Sequence, residues 1–269
     1  MRIAVAQVCS STDPAENLAL IRSVLPDAAG ADLVVFPEAT MASFATRSVD
    51  VAEPLDGPFA GGVRALASEF GVTIAVGMFT PGQGRRCRNT LLLTGPAGEA
   101  AYDKLHLFDA FGFAESDHIE PGGRPVMVEV AGVTVGLALC YDVRFPELFK
   151  SYARAGASVV VVPASWQGGD GKVDQWRTLL RARALDATCF VVGCGQAEPA
   201  ASGRPGGDGP LGVGHSLAVG PDGATLAEAG DGPAVLMIDI DPDAAARVRR
   251  RLPVLDNSRF ECRLASPTV

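Results

Sequence analysis

The sequence predicts an α/β fold whose β-sheets are mixed, and two patterns carry this prediction. Short apolar segments rich in β-branched residues recur along the chain, and many are separated by stretches in which apolar residues have helical spacing. Other neighbouring segments are joined only by the turn sequences Gly95-Pro96-Ala97-Gly98 and Gly220-Pro221-Asp222-Gly223, which suit hairpins. Because helical crossovers and hairpins both occur, we expect parallel and antiparallel strands in the same sheets.

Eight segments have the composition of buried strands, and they are residues 2–8, 32–36, 72–78, 90–93, 126–130, 133–139, 158–163 and 189–194. A proline in the first turn or a glycine after the last turn marks the helices. Helices are predicted from Asp13-Pro14, over 58–70, from Pro146, over 173–187 and from near Pro242. Residues 199–212 are rich in Gly, Pro and Ala, which predicts a surface loop between two strands.

Composition and charge narrow the class of protein. The 269 residues carry a net charge of −8, which disfavours binding to nucleic acid. No apolar run approaches the ~20 residues that cross a bilayer, and the chain opens on a strand-like segment, so we expect a cytoplasmic protein that does not bind membranes. Six cysteines in a chain of this length do not indicate a disulfide scaffold, and their spacing does not fit a zinc site, so we expect reduced thiols. We predict one domain over 1–269 and no metal or organic cofactor.

Two charged residues stand out by their position. Glu38 follows an apolar strand segment through Phe36-Pro37, and the ends of strands in α/β proteins are where catalytic groups collect. Lys104 is embedded among large apolar residues between Tyr102 and Phe108. Taken singly, Glu38 also fits a surface acid, and Lys104 also fits a lysine whose ammonium reaches solvent.

Cys140 stands where a buried strand, 133–139, meets a turn, and a helix begins just beyond it at Pro146. This arrangement is typical of a nucleophile elbow, with Cys in place of Ser. Backbone N–H groups in such a turn are free to receive an oxyanion. A buried cysteine that acts as a small hydrophobic residue fits this segment equally well.

Together these segments resemble the nitrilase superfamily of carbon–nitrogen hydrolases. Its Glu, Lys and Cys motifs occur in this chain in the family's order, as Phe36-Pro37-Glu38, Lys104-Leu105-His106-Leu107-Phe108 and Cys140 through Glu147. The resemblance covers nearly the whole chain, including Phe113-Ala114-Glu115-Ser116, residues 176–184 and Gly214-His215-Ser216.

The chain is most similar to the Nit branch, which contains ω-amidases and amidases acting on deaminated glutathione. That branch often has Pro-Ala-Ser-Phe-Asn where this chain has Pro163-Ala164-Ser165-Trp166-Gln167, and often has His where this chain has Gln175. The identity of the substrate therefore stays open.

The resemblance implies a four-layer α-β-β-α sandwich of two six-stranded sheets, and it implies a role for each catalytic residue. Cys140 is the expected nucleophile, and Glu38 carries the proton between the thiol and the departing ammonia. Lys104 and the Tyr141 backbone N–H are expected to stabilise the oxyanion, while Glu115 holds the Lys104 ammonium. Because a neighbouring positive charge favours the thiolate, we expect a lowered pKa at Cys140.

The resemblance also implies a small amide substrate that bears a carboxylate. Arg144 is the nearest cation to Cys140 along the chain, and we expect Tyr141, Arg144 and Trp166 to contact the substrate. A salt bridge from Arg144 to Glu147 or Asp142 is the structural alternative. N-carbamoyl compounds and simple aliphatic amides are alternative substrates.

Two rival functions and one prediction about assembly also follow from the sequence. A Cys–His hydrolase would use His106, His118 or His215 as its base, and a catalytically silent binding scaffold would keep only the fold. We also predict a homodimer formed by the helix from Pro146 and the 173–187 helix, because Phe149, Tyr152 and Trp176 are large apolar residues that one sheet does not obviously cover.

Overall fold

Two six-stranded mixed sheets pack face to face, and helices cover both outer faces. The computed structural model describes residues 1–207 and 209–260. The predicted four-layer α-β-β-α sandwich is confirmed. Asp208 and residues 261–269, which are part of the predicted domain over 1–269, lie outside the described residues.

Strands and helices alternate along most of the described chain. The strands are β1 (Arg2–Gln7), β2 (Leu33–Val35), β3 (Thr73–Pro81), β4 (Cys87–Gly95), β5 (Gly98–Asp103), β6 (Asp109–Ala110), β7 (Phe113–Ala114), β8 (Met127–Val130), β9 (Val133–Leu137), β10 (Val159–Ala164), β11 (Phe190–Gly195), β12 (Leu217–Val219), β13 (Thr225–Glu228) and β14 (Ala234–Asp239). The helices are α1 (Pro14–Val24), α2 (Ser48–Val51), α3 (Pro58–Phe70), α4 (Pro146–Arg154), α5 (Lys172–Ala187) and α6 (Pro242–Arg251). No described helix has both the length and the apolar character needed to cross a membrane.

Each sheet combines parallel and antiparallel pairs. The first has the strand order β14-β1-β2-β3-β4-β5, and the second has the order β13-β12-β11-β10-β9-β8. Strands joined through helices, such as β1 with β2 and β10 with β11, run parallel. Strands joined by the two predicted turns, β4 with β5 and β12 with β13, run antiparallel. The mixed sheets follow directly from this alternation of crossovers and hairpins.

All eight predicted strand segments overlap an observed strand, and the five predicted helices are α1, α3, α4, α5 and α6. The strands that were not predicted from the sequence are β5, β12, β13, β14 and the small β6–β7 hairpin. Several of these lie at sheet edges, where much of the strand is exposed and the apolar signal is weak. Interior strands are covered on both faces, so their apolar runs are easier to recognise.

Three apolar layers hold the sandwich together. Side chains such as Val5, Leu137 and Val161 fill the space between the two sheets. One outer layer packs α1 and α3 on the first sheet, and the other packs α4 and α5 on the second.

The apolar side chains chosen for a dimer surface are not exposed, so that part of the prediction is wrong. Phe149, Tyr152 and Trp176 are at most 1% exposed, because they face the second sheet of their own chain. A glycine on that sheet provides the room, since a Cβ at Gly136 would lie 2.7 Å from the Tyr152 ring. These residues therefore offer no free apolar face to a second copy.

The loop after β2, which carries Glu38, lies directly on β3 at Gly77. The Gly77 N–H donates to Pro37 O at 3.2 Å, and Met41 N–H donates to Gly77 O at 2.9 Å. A Cβ at position 77 would lie 2.6 Å from Ala39 N and 2.7 Å from Glu38 Cα. Only glycine lets this loop approach the strand so closely.

Replacing Gly77 by Ala should lower the free energy of unfolding by about 1–3 kcal/mol, because the added methyl group pushes into backbone atoms that cannot move aside. Gly61 is the matched control, since it is exposed in α3 and a Cβ there would meet nothing within 4 Å. Gly61→Ala should be neutral or add about 0.5–1 kcal/mol. Denaturant unfolding measures both variants, and an unchanged midpoint for Gly77→Ala would contradict the steric argument.

Candidate active site

Four of the predicted catalytic residues meet in one buried cluster. Glu38 follows β2, Lys104 follows β5, Glu115 follows β7 and Cys140 follows β9. Their exposed fractions are 1%, 2%, 4% and 9%. Residues far apart in sequence are thus brought together between the ends of the strands.

Lys104 joins the two carboxyl groups. Its Nζ lies 3.1 Å from Glu38 Oε1, and it lies 3.0 and 2.8 Å from the two oxygens of Glu115. Burial alone would lower the pKa of Lys104, but attraction to Glu115 and then to Glu38 outweighs it, so this pKa is raised well above its ordinary value. Lys104 is therefore a charged ammonium at neutral pH.

Neutral donors complete the orientation of both carboxyl groups. The Asn89 side-chain amide donates to Glu38 Oε1 at 2.7 Å and to Glu115 Oε1 at 3.3 Å. The Ser165 backbone N–H donates to Glu38 Oε2 at 2.8 Å, and the Phe108 N–H donates to Glu115 Oε2 at 2.6 Å. Asn89 and Ser165 were not predicted from the sequence. Asn89 had one usable signal in the sequence, because it is a polar residue directly before the apolar run predicted as a strand over 90–93.

The turn at Cys140 has the tight backbone conformation expected of a nucleophile elbow. Cys140 has φ of 43°, in the left-handed region, at the start of a short turn over Cys140–Arg144. The buried Asp142 carboxylate holds this turn, since it accepts from Leu139 N at 2.8 Å and from Tyr102 Oη at 2.7 Å. The same carboxylate accepts from the His106 backbone N–H at 3.0 Å. Asp142 thus ties the turn to the segment that follows β5.

The expected low pKa of the Cys140 thiol is wrong. Burial raises it first, the nearby Glu38 carboxyl raises it further through charge and hydrogen bonding, and Lys104 only partly offsets them. The pKa of Cys140 therefore lies well above its ordinary value. The expectation took account of the ammonium but not of the carboxyl groups around it. At rest the thiol keeps its proton, and any attack must be coupled to proton transfer.

All seven predicted site residues line one cleft: Glu38, Lys104, Glu115, Cys140, Tyr141, Arg144 and Trp166. Its apolar walls come from Phe44, Phe108, Phe113 and Pro210. Gln167 and Lys172, which were not predicted from the sequence as site residues, also line it. The Gln167 Oε1 atom is buried and has no hydrogen-bond partner in the described chain.

Arg144 does not form the salt bridge that the sequence allowed as an alternative to substrate binding. Within the described residues it pairs with neither Glu147 nor Asp142. Its guanidinium lies 5.0 Å from the Trp166 ring centroid, and it donates to Gln175 Oε1 at 2.9 Å. Arg144 therefore keeps its charge uncompensated beside the cleft.

The three histidines do not line this cleft. The His106 ring lies 2.7 Å from Asp142 through Nδ1 and stacks on Phe145, while His215 lies between Glu228 and Asp231. His118 is exposed. A Cys–His pair thus has no support in this geometry. In the part of the chain that the structure describes, no group of three or more His, Cys, Asp or Glu side chains is arranged to hold a metal ion.

Comparisons with known proteins agree with this geometry. A family model described as carbon-nitrogen hydrolase matches residues 2–250. A Mycobacterium tuberculosis protein named only as a hydrolase is 49% identical and covers 96% of this chain and 95% of its own length. The deaminated glutathione amidase of Escherichia coli O157:H7 is 37% identical and covers 97% of this chain and 98% of its own, which confirms the resemblance to the Nit branch.

A solved structure of a CN-hydrolase superfamily protein is also similar to this chain. The crystal structure of a CN-hydrolase superfamily protein from Xanthomonas campestris, with an arsenic adduct in its active site, superposes with a TM-score of 0.83 at 30% identity. The match covers 97% of this chain and 98% of that one.

Replacing Glu38 by Gln should lower the pKa of Cys140, because it removes a carboxyl group that raises this pKa and leaves Lys104, which lowers it. Thiolate formation is followed by ultraviolet absorbance against pH. Cys140→Ser, alone and combined with Glu38→Gln, gives the absorbance that is due to the other cysteines. Cys140 should ionise at a lower pH in Glu38→Gln than in the wild type. A wild-type Cys140 already ionised at neutral pH would contradict the electrostatic assignment.

Proposed function

The chain belongs to the carbon–nitrogen hydrolase family, and from this premise we propose that it hydrolyses a small carboxylate-bearing amide through a thioester on Cys140. One observation carries the proposal: the Cys140 thiol lies at a cleft together with two carboxyl groups and the lysine that joins them. Acyl transfer from an amide needs a nucleophile, a proton carrier and a positive group for the oxyanion, and this cluster contains all three.

In the first half-reaction Cys140 Sγ attacks the amide carbon while its proton passes to Glu38. The raised pKa of Cys140 requires this coupling, and the Glu38 carboxyl, whose charge helps to raise that pKa, is the proposed acceptor. The carbonyl oxygen becomes an oxyanion, which the Lys104 ammonium and the Tyr141 backbone N–H stabilise. When the tetrahedral intermediate collapses, the carbon–nitrogen bond breaks and Glu38 gives its proton to the departing ammonia.

In the second half-reaction water attacks the thioester, and Glu38 accepts the proton of the water. The carbon–sulfur bond then breaks, the acid product leaves, and the thiol recovers its proton. Glu115 acts as a positioning residue in both halves, because both of its oxygens hold Lys104 Nζ. Asn89 contacts both carboxyl groups and keeps Glu38 aimed at the thiol.

The substrate assignment rests on the charge of Arg144 and on a relative. Arg144 lines the cleft without an ion pair in the described chain, so it is available to a substrate carboxylate. The Escherichia coli relative is named for an amidase that acts on deaminated glutathione, and we extend carboxylate-bearing amides as a class to this chain. N-carbamoyl compounds and simple aliphatic amides are the competing substrates.

An ammonia-release screen tests the assignment. Its panel contains ω-amido acids, deaminated glutathione, N-carbamoyl amino acids, neutral aliphatic amides and nitriles, with coupled detection of product acid where no free ammonia forms. Carboxylate-bearing amides should be the best substrates, and Cys140→Ala should abolish turnover while Cys189→Ala, at another buried thiol, retains it. Turnover by pure Cys140→Ala would overturn the mechanism, and faster hydrolysis of nitriles or carbamoyl compounds would overturn only the substrate class. A wild-type protein inactive on the whole panel would favour a binding scaffold.

A homodimer stays a prediction that rests on the family resemblance alone, since the apolar side chains first chosen for it are buried within one chain. Light scattering at micromolar concentration should give twice the mass of the 27.8 kDa chain, because family members usually pair. A monomer mass would remove the prediction. A cytoplasmic location also stays a prediction, which cell fractionation would test.

A further inference from the structure

Lys172 lines the cleft beside Arg144, although nothing in the sequence motifs selected it. It is the first residue of α5, where the helix dipole disfavours a positive charge, and Gly171 before it has no side chain to cap the helix. Lys172 forms no ion pair with a carboxylate of the described residues, and its Nζ lies 3.8 Å from the centroid of the exposed Phe111 ring. The helix dipole makes a positive charge unfavourable at this position, so helix stability does not explain why a lysine is present here.

Trp166 places the two cations next to each other. Its indole Nε1–H donates to the Lys172 carbonyl at 2.9 Å, which fixes the first turn of α5 against the cleft. The Arg144 guanidinium lies 5.0 Å from the centroid of the same indole. Burial and, after it, repulsion from Arg144 lower the pKa of Lys172, which is the behaviour of two like charges held close together.

The cleft is therefore polarised. One part contains the carboxyl groups of Glu38 and Glu115, joined by the single Lys104 ammonium, beside the thiol, and another contains Arg144 and Lys172. The apolar rings of Phe108 and Phe113 line the same cleft and suit a short methylene chain. An amide with a carboxylate at its other end fits this distribution in one orientation, because the reversed molecule would bring its carboxylate to the two glutamates.

We infer that Lys172 and Arg144 form a two-cation subsite for the substrate carboxylate and that Lys172 is a specificity-determining residue for carboxylate-bearing amides. This inference rests on the proposed function and deepens it. The carboxylate accepts hydrogen bonds from both cations, while Trp166 acts as the positioning residue for the pair. The subsite holds the far end of the molecule, so Lys172 acts on the choice of substrate and not on bond cleavage.

Steady-state kinetics with two matched amides test the subsite. Glutaramate carries a carboxylate, and valeramide has the same number of carbon atoms without one. Lys172→Gln should lower kcat/KM for glutaramate by roughly ten- to a hundredfold, mainly through KM, because a charge-assisted hydrogen bond is lost. The value for valeramide should change by less than about twofold. Lys172→Arg should restore most of the loss, and Lys150→Gln on α4 should alter neither substrate.

A second variant separates this role from a structural one. If Lys172 only held the β6–β7 hairpin through the Phe111 ring, then Phe111→Leu would reproduce the Lys172→Gln effect and both amides would suffer equally. We expect a loss confined to glutaramate in Lys172→Gln, and Phe111→Leu should not reproduce it. An equal loss for both amides, or none for either, would overturn the inference.

Equilibrium binding keeps the inference distinct from the proposed chemistry. Glutarate, the acid product of glutaramate, is titrated calorimetrically into Cys140→Ala and into Cys140→Ala/Lys172→Gln. Binding should weaken by about tenfold or more in the double variant. Equal affinity for both would refute the subsite even if amide hydrolysis is confirmed. If the wild type hydrolyses no amide but glutarate binding still depends on Lys172, only the proposed function is refuted.

Discussion

The buried contact of Lys104 with Glu38 and Glu115 is the interaction on which the rest of the site depends. Removing one partner from such a group would leave an uncompensated charge in the protein interior, which is far more costly than losing a surface ion pair. The three residues follow β2, β5 and β7. Their mutual attraction therefore fixes how the loops at this end of the sandwich meet. Asn89 donates to one oxygen of each carboxyl group that Lys104 also contacts. The Ser165 N–H donates to Glu38 Oε2, which Lys104 leaves free.

The same cluster sets the chemistry that the thiol can perform. Burial and, after it, the neighbouring carboxyl groups disfavour a thiolate, so the pKa of Cys140 is raised although a lysine is close. A resting ion pair between thiolate and cation, as in enzymes that activate cysteine with histidine, is not what this environment favours. In the proposed mechanism the Cys140 thiol depends instead on proton transfer to Glu38 at the moment of attack. The opposite charge of Arg144 and Lys172 elsewhere in the cleft then gives the site a direction.

Backbone constraints at two positions keep these groups in place. Gly77 lets the Glu38 loop lie against β3, since any Cβ there would meet the backbone of residues 37–39. Asp142 holds the turn that presents Cys140 in a left-handed conformation, a strained arrangement for a residue with a side chain. Neither residue need touch the substrate, yet each controls the position of a candidate catalytic residue. This is why the site is built at the ends of strands and not on free loops.

The interior strands and the helices could be predicted from the sequence, because apolar periodicity is a local property of the chain. The candidate catalytic residues could be proposed from it as well, because three short motifs together resemble one family. Glu38, Lys104 and Cys140 were all recognisable in this way. Only the tertiary structure decided that Asn89 and Lys172 join them, since neither belongs to a motif. It also reversed two expectations, the low pKa of Cys140 and the exposure of apolar side chains such as Trp176. Both depend on sums over distant segments: a pKa reflects every charge around the group, and burial reflects which helix face the sheet covers.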